Sequence, residues 1–136
     1  MALMSFRIFF GVLLLASALG KLLDNRGFAA VIATYQFGIP AGMLLPLGLS
    51  VSLAELVLAL LIFQGRYLRA SAQLTLLVHA GYLALAVITN LRGLALVNCG
   101  CFGVFLARPM TWYTVVEDLI LVLLAAGFSY TAQRRS

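Results

Sequence analysis

Cys99 and Cys101 are the two cysteines of this 136-residue chain, and a single glycine separates them. Two thiols so close can close on each other once a mixed disulfide with another protein has formed, which is thiol–disulfide exchange. Good disulfide geometry needs Cα atoms about 4.4–6.8 Å apart and a χ3 near 90°. One intervening residue reaches that only with local strain, and Gly100 is the residue best able to take unusual dihedrals. Strain favours the dithiol, so a Cys99–Cys101 bond is expected to be oxidising and labile, as a redox-active disulfide should be. A structural staple would gain little from closing so short a loop. Two other roles stay open. Soft thiolates can hold Cu(I) or zinc, with Met43 and Met110 expected on the loop side, or the two cysteines are small packing residues. Cys101 abuts Phe102-Gly103 and is expected to be the inner of the pair.

A second set of residues lies inside apolar runs, where an ionisable group is a functional candidate. Glu55 and His79, the lone histidine, both fall near mid-membrane on neighbouring spans. A Glu55–His79 hydrogen bond is expected, either to hold a quinone carbonyl and relay a proton or to fix helix register. Lys21 closes the first span. It is expected to pair with Glu117, to lower a cysteine pKa, or to act as a snorkelling anchor. Glu117 and Asp118 open the last span on the same side. Tyr35, Tyr82 and Trp112 could line a site for a ring-shaped ligand or serve as packing and belt residues.

Membrane-spanning helices must position these groups. The chain is 64% hydrophobic and 10% charged, against about 25% charged residues in soluble domains, with a mean hydropathy of +1.11. Lipid is therefore its main solvent. A span needs about 20 apolar residues, and four segments qualify: 3–23, 43–63, 70–89 and 112–130. Trp112 and Tyr130 frame the last, about 27 Å apart at about 1.5 Å per residue, as interfacial rings are. Arg7, the apolar run and Ala16-Ser17-Ala18 resemble a signal peptide, but the run continues to Leu23 and is long enough to span. Between the first two spans, Asp24-Asn25-Arg26-Gly27 breaks the run. Phe28, Val31, Ile32 and Tyr35 then fall on one helical face, which predicts a short interfacial helix. The expected fold is an all-α integral membrane protein. It is one four-helix domain over residues 1–136, with the cysteine loop at 90–111.

The net charge is +5. The basic residues are scattered near span ends rather than clustered, which excludes a nucleic-acid-binding face. Arg7, Arg66, Arg69, Arg134 and Arg135 lie on one side, and Lys21, Arg26, Arg92 and Arg108 on the other. The bias puts both termini in the cytoplasm and the cysteine loop outside, the oxidising face that suits a disulfide-forming pair.

The motif Asn98-Cys99-Gly100-Cys101-Phe102-Gly103, followed by Trp112, resembles the MauE family of methylamine-utilisation membrane proteins, within the wider DoxX-like group. Ala18-Leu19-Gly20-Lys21-Leu22, the spacing from Phe28 through Tyr35 to Pro40, and Glu55 in the second span are similar to the same family's pattern. Glu117-Asp118 departs from it, standing where that pattern commonly carries an Arg–Asn-like pair. The reversed charge bears on partner choice and on cysteine tuning. The resemblance implies disulfide formation in exported proteins beside a thioredoxin-like partner, at the bacterial cytoplasmic (inner) membrane. The four-helix shape is also similar to disulfide-generating enzymes of the DsbB and vitamin K epoxide reductase kind, which implies a membrane quinone as cofactor. Those enzymes carry a second, shuttle cysteine pair. With none here, Cys99 and Cys101 must exchange electrons with another molecule. The contrasting reading is a non-enzymatic assembly subunit, or a copper-binding protein using the same thiolates.

Overall fold

The computed structural model describes residues 2–94, 109 and 111–135, so Cys99 and Cys101 lie outside the described residues. The regular structure described is all helical: α1 (Ala2–Leu23), α2 (Asn25–Ala33), α3 (Ala41–Gln64), α4 (Leu68–Leu91) and α5 (Trp112–Arg135). The four long helices are apolar and long enough to cross a membrane, and the protein is a four-span, multi-pass helical bundle. Lipid offers the backbone no partners, so a helix is the form in which these runs satisfy their own amides. Buried hydroxyls follow the same rule. Ser52 and Thr75, and the half-buried Thr131, each donate to the carbonyl four residues back on their own helix.

The short helix α2 forms where the sequence pattern placed it. Asp24 caps its N-terminus, accepting from the Gly27 amide at 3.0 Å. Phe28 and Ala29 are buried, and α2 lies against the first half of α3. A Cβ on Gly48 would come within 3.1 Å of the Phe28 ring, so this small residue permits the close approach. Tyr35 lies beyond the last turn of α2 but is also buried.

The long helices associate as two closely packed pairs, α1 with α3 and α4 with α5, while α3 and α4 touch sparsely. At the end of the bundle that carries the chain termini, α1, α3 and α5 close around aromatic rings. Phe10 stacks on Phe128 with centroids 5.6 Å apart, and Phe6 lies 6.1 Å from the same ring. Ile62 and Leu14 complete this core. Here α3 stops at Gly65, whose φ of +74° suits glycine. Arg7 donates to the Ile62 and Phe63 carbonyls at 3.1 and 3.0 Å, placing a cation where the helix dipole is negative.

Candidate functional site

The opposite end of the bundle is built around charge. Lys21 lies in the last turn of α1 and is fully buried. Its Nζ donates to Glu55 Oε1 on α3 at 2.5 Å and to the Tyr82 hydroxyl oxygen on α4 at 2.7 Å. The Tyr82 hydroxyl in turn donates to the same Glu55 oxygen. The ammonium also sits 5.2 Å from the Phe28 ring centroid and 5.1 Å from that of Tyr82. Residues from α1, α2, α3 and α4 thus converge on one buried ion pair. An isolated charge at this depth is costly, and the pair is tolerated because each member neutralises the other. Glu55 is 2% exposed. While its Oε1 is shared by two donors, its buried Oε2 has no hydrogen-bond partner.

This arrangement corrects three expectations. Lys21 pairs with Glu55 and not with Glu117, and its buried head does not snorkel. His79 does not bond Glu55 either. Its Nδ1–H donates to the Thr75 carbonyl at 2.8 Å. Its ring packs edge-on to Phe10, at 5.3 Å, and to Tyr82, at 6.2 Å. The physical reason is helix register. Lys21 near the end of α1 reaches Glu55, while Asn25 just beyond α1 donates to the Leu45 carbonyl and Phe28 packs on Gly48. The first turns of α3 therefore extend past the end of α1 and are covered by α2 instead. Glu55 lies further along α3, in the part that packs on α1, where the long Lys21 side chain reaches it. The charges themselves carried a signal. In a chain with so few, a cation and an anion both inside apolar runs need each other.

Of the other candidates, Tyr82 belongs to the cluster. Tyr35 is near it, lining a cavity of about 210 Å³ together with Lys21, Phe28 and Tyr82. A second cavity of about 510 Å³ lies between α3 and α4, and Glu55 and Tyr82 are its polar wall. Asp118 is buried on α5, whereas Met43, proposed above as a thiolate neighbour, is exposed. Met110, like the cysteines, is outside the described residues.

Arg92 is a residue whose role was not evident from the sequence, where it counts only as a span-end charge. Its guanidinium donates to the Tyr35 and Gln36 carbonyls at 2.6 and 2.9 Å and lies over the Phe37 ring at 5.1 Å. It ties the end of α4 to the α2–α3 connection, and Gln36 there has a positive φ of 57°. Just before it, Asn90 donates to the Thr111 carbonyl at 3.2 Å. Thr114 donates to the Pro109 carbonyl at 3.0 Å. These bonds hold the two ends of the segment that contains Cys99 and Cys101.

The family model described as methylamine utilisation protein MauE matches residues 1–131. The "Methylamine utilization protein MauE" of Paracoccus denitrificans is 34% identical over 132 residues, covering 95% of this chain and 69% of that protein. No solved structure matches the chain.

Proposed function

The chain belongs to the MauE family, and from that premise we propose that it serves methylamine utilisation as a membrane thiol–disulfide oxidoreductase. The observation that carries this reading is the Cys99-Gly100-Cys101 motif, which contains every cysteine of the chain. The exported partner is a thioredoxin-like protein. A partner thiolate attacks the Cys99–Cys101 disulfide, forming a mixed disulfide and releasing one cysteine thiolate. The partner's second thiolate then breaks the mixed disulfide. The partner leaves oxidised, and Cys99 and Cys101 remain as a dithiol. A membrane quinone would supply the oxidant for re-forming the Cys99–Cys101 bond, taking up the two electrons and two protons that the dithiol gives up. The proposed setting is the bacterial inner membrane, with both termini cytoplasmic and the cysteine segment on the outer face.

Two features support the reading. The held ends of the cysteine segment share one end of the bundle with the Lys21–Glu55–Tyr82 cluster. The cavity beside that cluster is apolar with a polar wall, which fits a lipid-soluble electron acceptor. Glu55 and Tyr82 would contact its head.

Trapping tests the exchange. Cys99→Ser and Cys101→Ser variants, expressed with the native exported proteins, should give a covalent adduct that reductant releases. One of the two should trap far more than the other, identifying the cysteine that faces the partner. Absence of any adduct from both variants would reject the proposal.

A further inference from the structure

The unpartnered oxygen of Glu55 has a consequence for what the α3–α4 cavity takes. This cavity lies along the sparsest contact between consecutive spans. Its volume of about 510 Å³ is within the usual range for small-molecule pockets, about 300–1,000 Å³. Ala54, Leu74 and Gly81 line it and are themselves exposed, so it opens on the flank of the bundle. That flank belongs to two spanning helices, and its surroundings are lipid. The ligand therefore enters from the membrane and is itself largely apolar.

The polar wall sets the head group. A carboxylate only accepts hydrogen bonds. Both donors that reach Glu55 use Oε1, leaving Oε2 buried without one. A buried acceptor left without a protein donor is costly, and a ligand hydroxyl would meet it. Lys21 already cancels the charge of Glu55, so a cation is not required and a neutral hydroxyl is sufficient. A quinone carbonyl brings only lone pairs towards Oε2, whereas a hydroquinone brings an O–H. The room beside Gly81, where an added Cβ would meet nothing within 4 Å, admits a flat ring alongside Tyr82.

We propose that the α3–α4 cavity is a binding site for the ring of a lipid-soluble hydroquinone, with one ring hydroxyl donating to Glu55 Oε2. The assignment depends on the oxidoreductase reading for its place in the reaction, though not for the binding itself. There it gives the acceptor a site. Overall, two thiols and one quinone become one disulfide and one hydroquinone, so electrons and protons balance. Tighter binding of the reduced form raises the potential of the bound ring and draws electrons from the thiols.

The test uses the full chain with both cysteines replaced by serine, purified in detergent, so that thiol chemistry cannot consume the probe. Calorimetric titrations compare decyl-hydroquinone, the matching decyl-quinone and n-decanol. The hydroquinone should bind saturably and about tenfold tighter than the quinone, the usual size of one hydrogen bond to a charged group. Gly81→Leu fills the cavity without touching Glu55 and should weaken binding about tenfold or more. Ala54→Phe serves the same purpose from the facing helix if the first variant does not fold. Three results would overturn the assignment: no saturable binding of the hydroquinone, equal binding of the quinone, or binding untouched by a folded cavity-filling variant. Equal binding of n-decanol would show a site for any lipid hydroxyl and would also defeat it. Because the titration contains no cysteine, its failure leaves mixed-disulfide trapping intact, and the reverse also holds.

Discussion

The two ends of this bundle solve the same packing problem in opposite ways. At the end with the termini, Phe6, Phe10 and Phe128 fill the space between helices, and Arg7 faces backbone carbonyls at a helix end. At the other end, Lys21 and Glu55 are buried together, two cavities flank them, and one carboxylate oxygen is left without a partner. The first end makes the bundle close. The second gives up close packing for a fixed charge pair and for room. The contrast is what supports placing the proposed chemistry at the second end.

The sharpest way to break the contrast is to remove half of the pair. Lys21→Met leaves Glu55 buried and uncompensated, and should cost about 3–5 kcal/mol of stability, read as a lowered unfolding midpoint in detergent. Lys21→Met combined with Glu55→Leu should recover most of that loss, because no lone charge remains. Equal losses in the single and double variants would mean that the lysine contributes by packing and not by charge. The aromatic end should behave differently. Phe128→Ala should cost about 3 kcal/mol through the void it leaves, while binding of decyl-hydroquinone at the α3–α4 cavity, to which α5 contributes no described residue, stays unchanged. A loss of binding there would join the two ends into one unit. The smallest effect is expected in the cavity wall itself. Gly81→Ala has open space around its new methyl and should stabilise the protein by about 0.5–1 kcal/mol through helix propensity. A destabilised variant would show that the hollow is narrower than described.

Much of the frame was legible without coordinates. The runs 43–63 and 70–89 became Ala41–Gln64 and Leu68–Leu91, because long stretches of apolar residues have one solution in lipid. The short helix was legible too, since Asp24-Asn25-Arg26-Gly27 breaks the apolar run and Phe28, Val31 and Ile32 then repeat at helical spacing. What could not be read was register between helices. Hydropathy gives Glu55 and His79 similar depths, yet it carries no information on how far α3 overhangs α1. The register of α3 on α1 brings Glu55 to Lys21, while His79 bonds the Thr75 carbonyl of its own helix. Arg92 illustrates a second limit. Its bonds go to main-chain carbonyls of Tyr35 and Gln36, acceptors that every residue possesses and that no sequence pattern advertises.

The ion pair also bears on how the protein is made. Glu55 comes 34 residues after Lys21, so the first helix emerges from the ribosome with its ammonium unmatched. Near the end of that helix the flexible lysine stem can keep its head among lipid headgroups until α3 arrives. Only then can the carboxylate draw it inward. Assembly thus has an order: the first span waits at the surface as an anchor, and the arrival of the third helix turns the anchor into a lock.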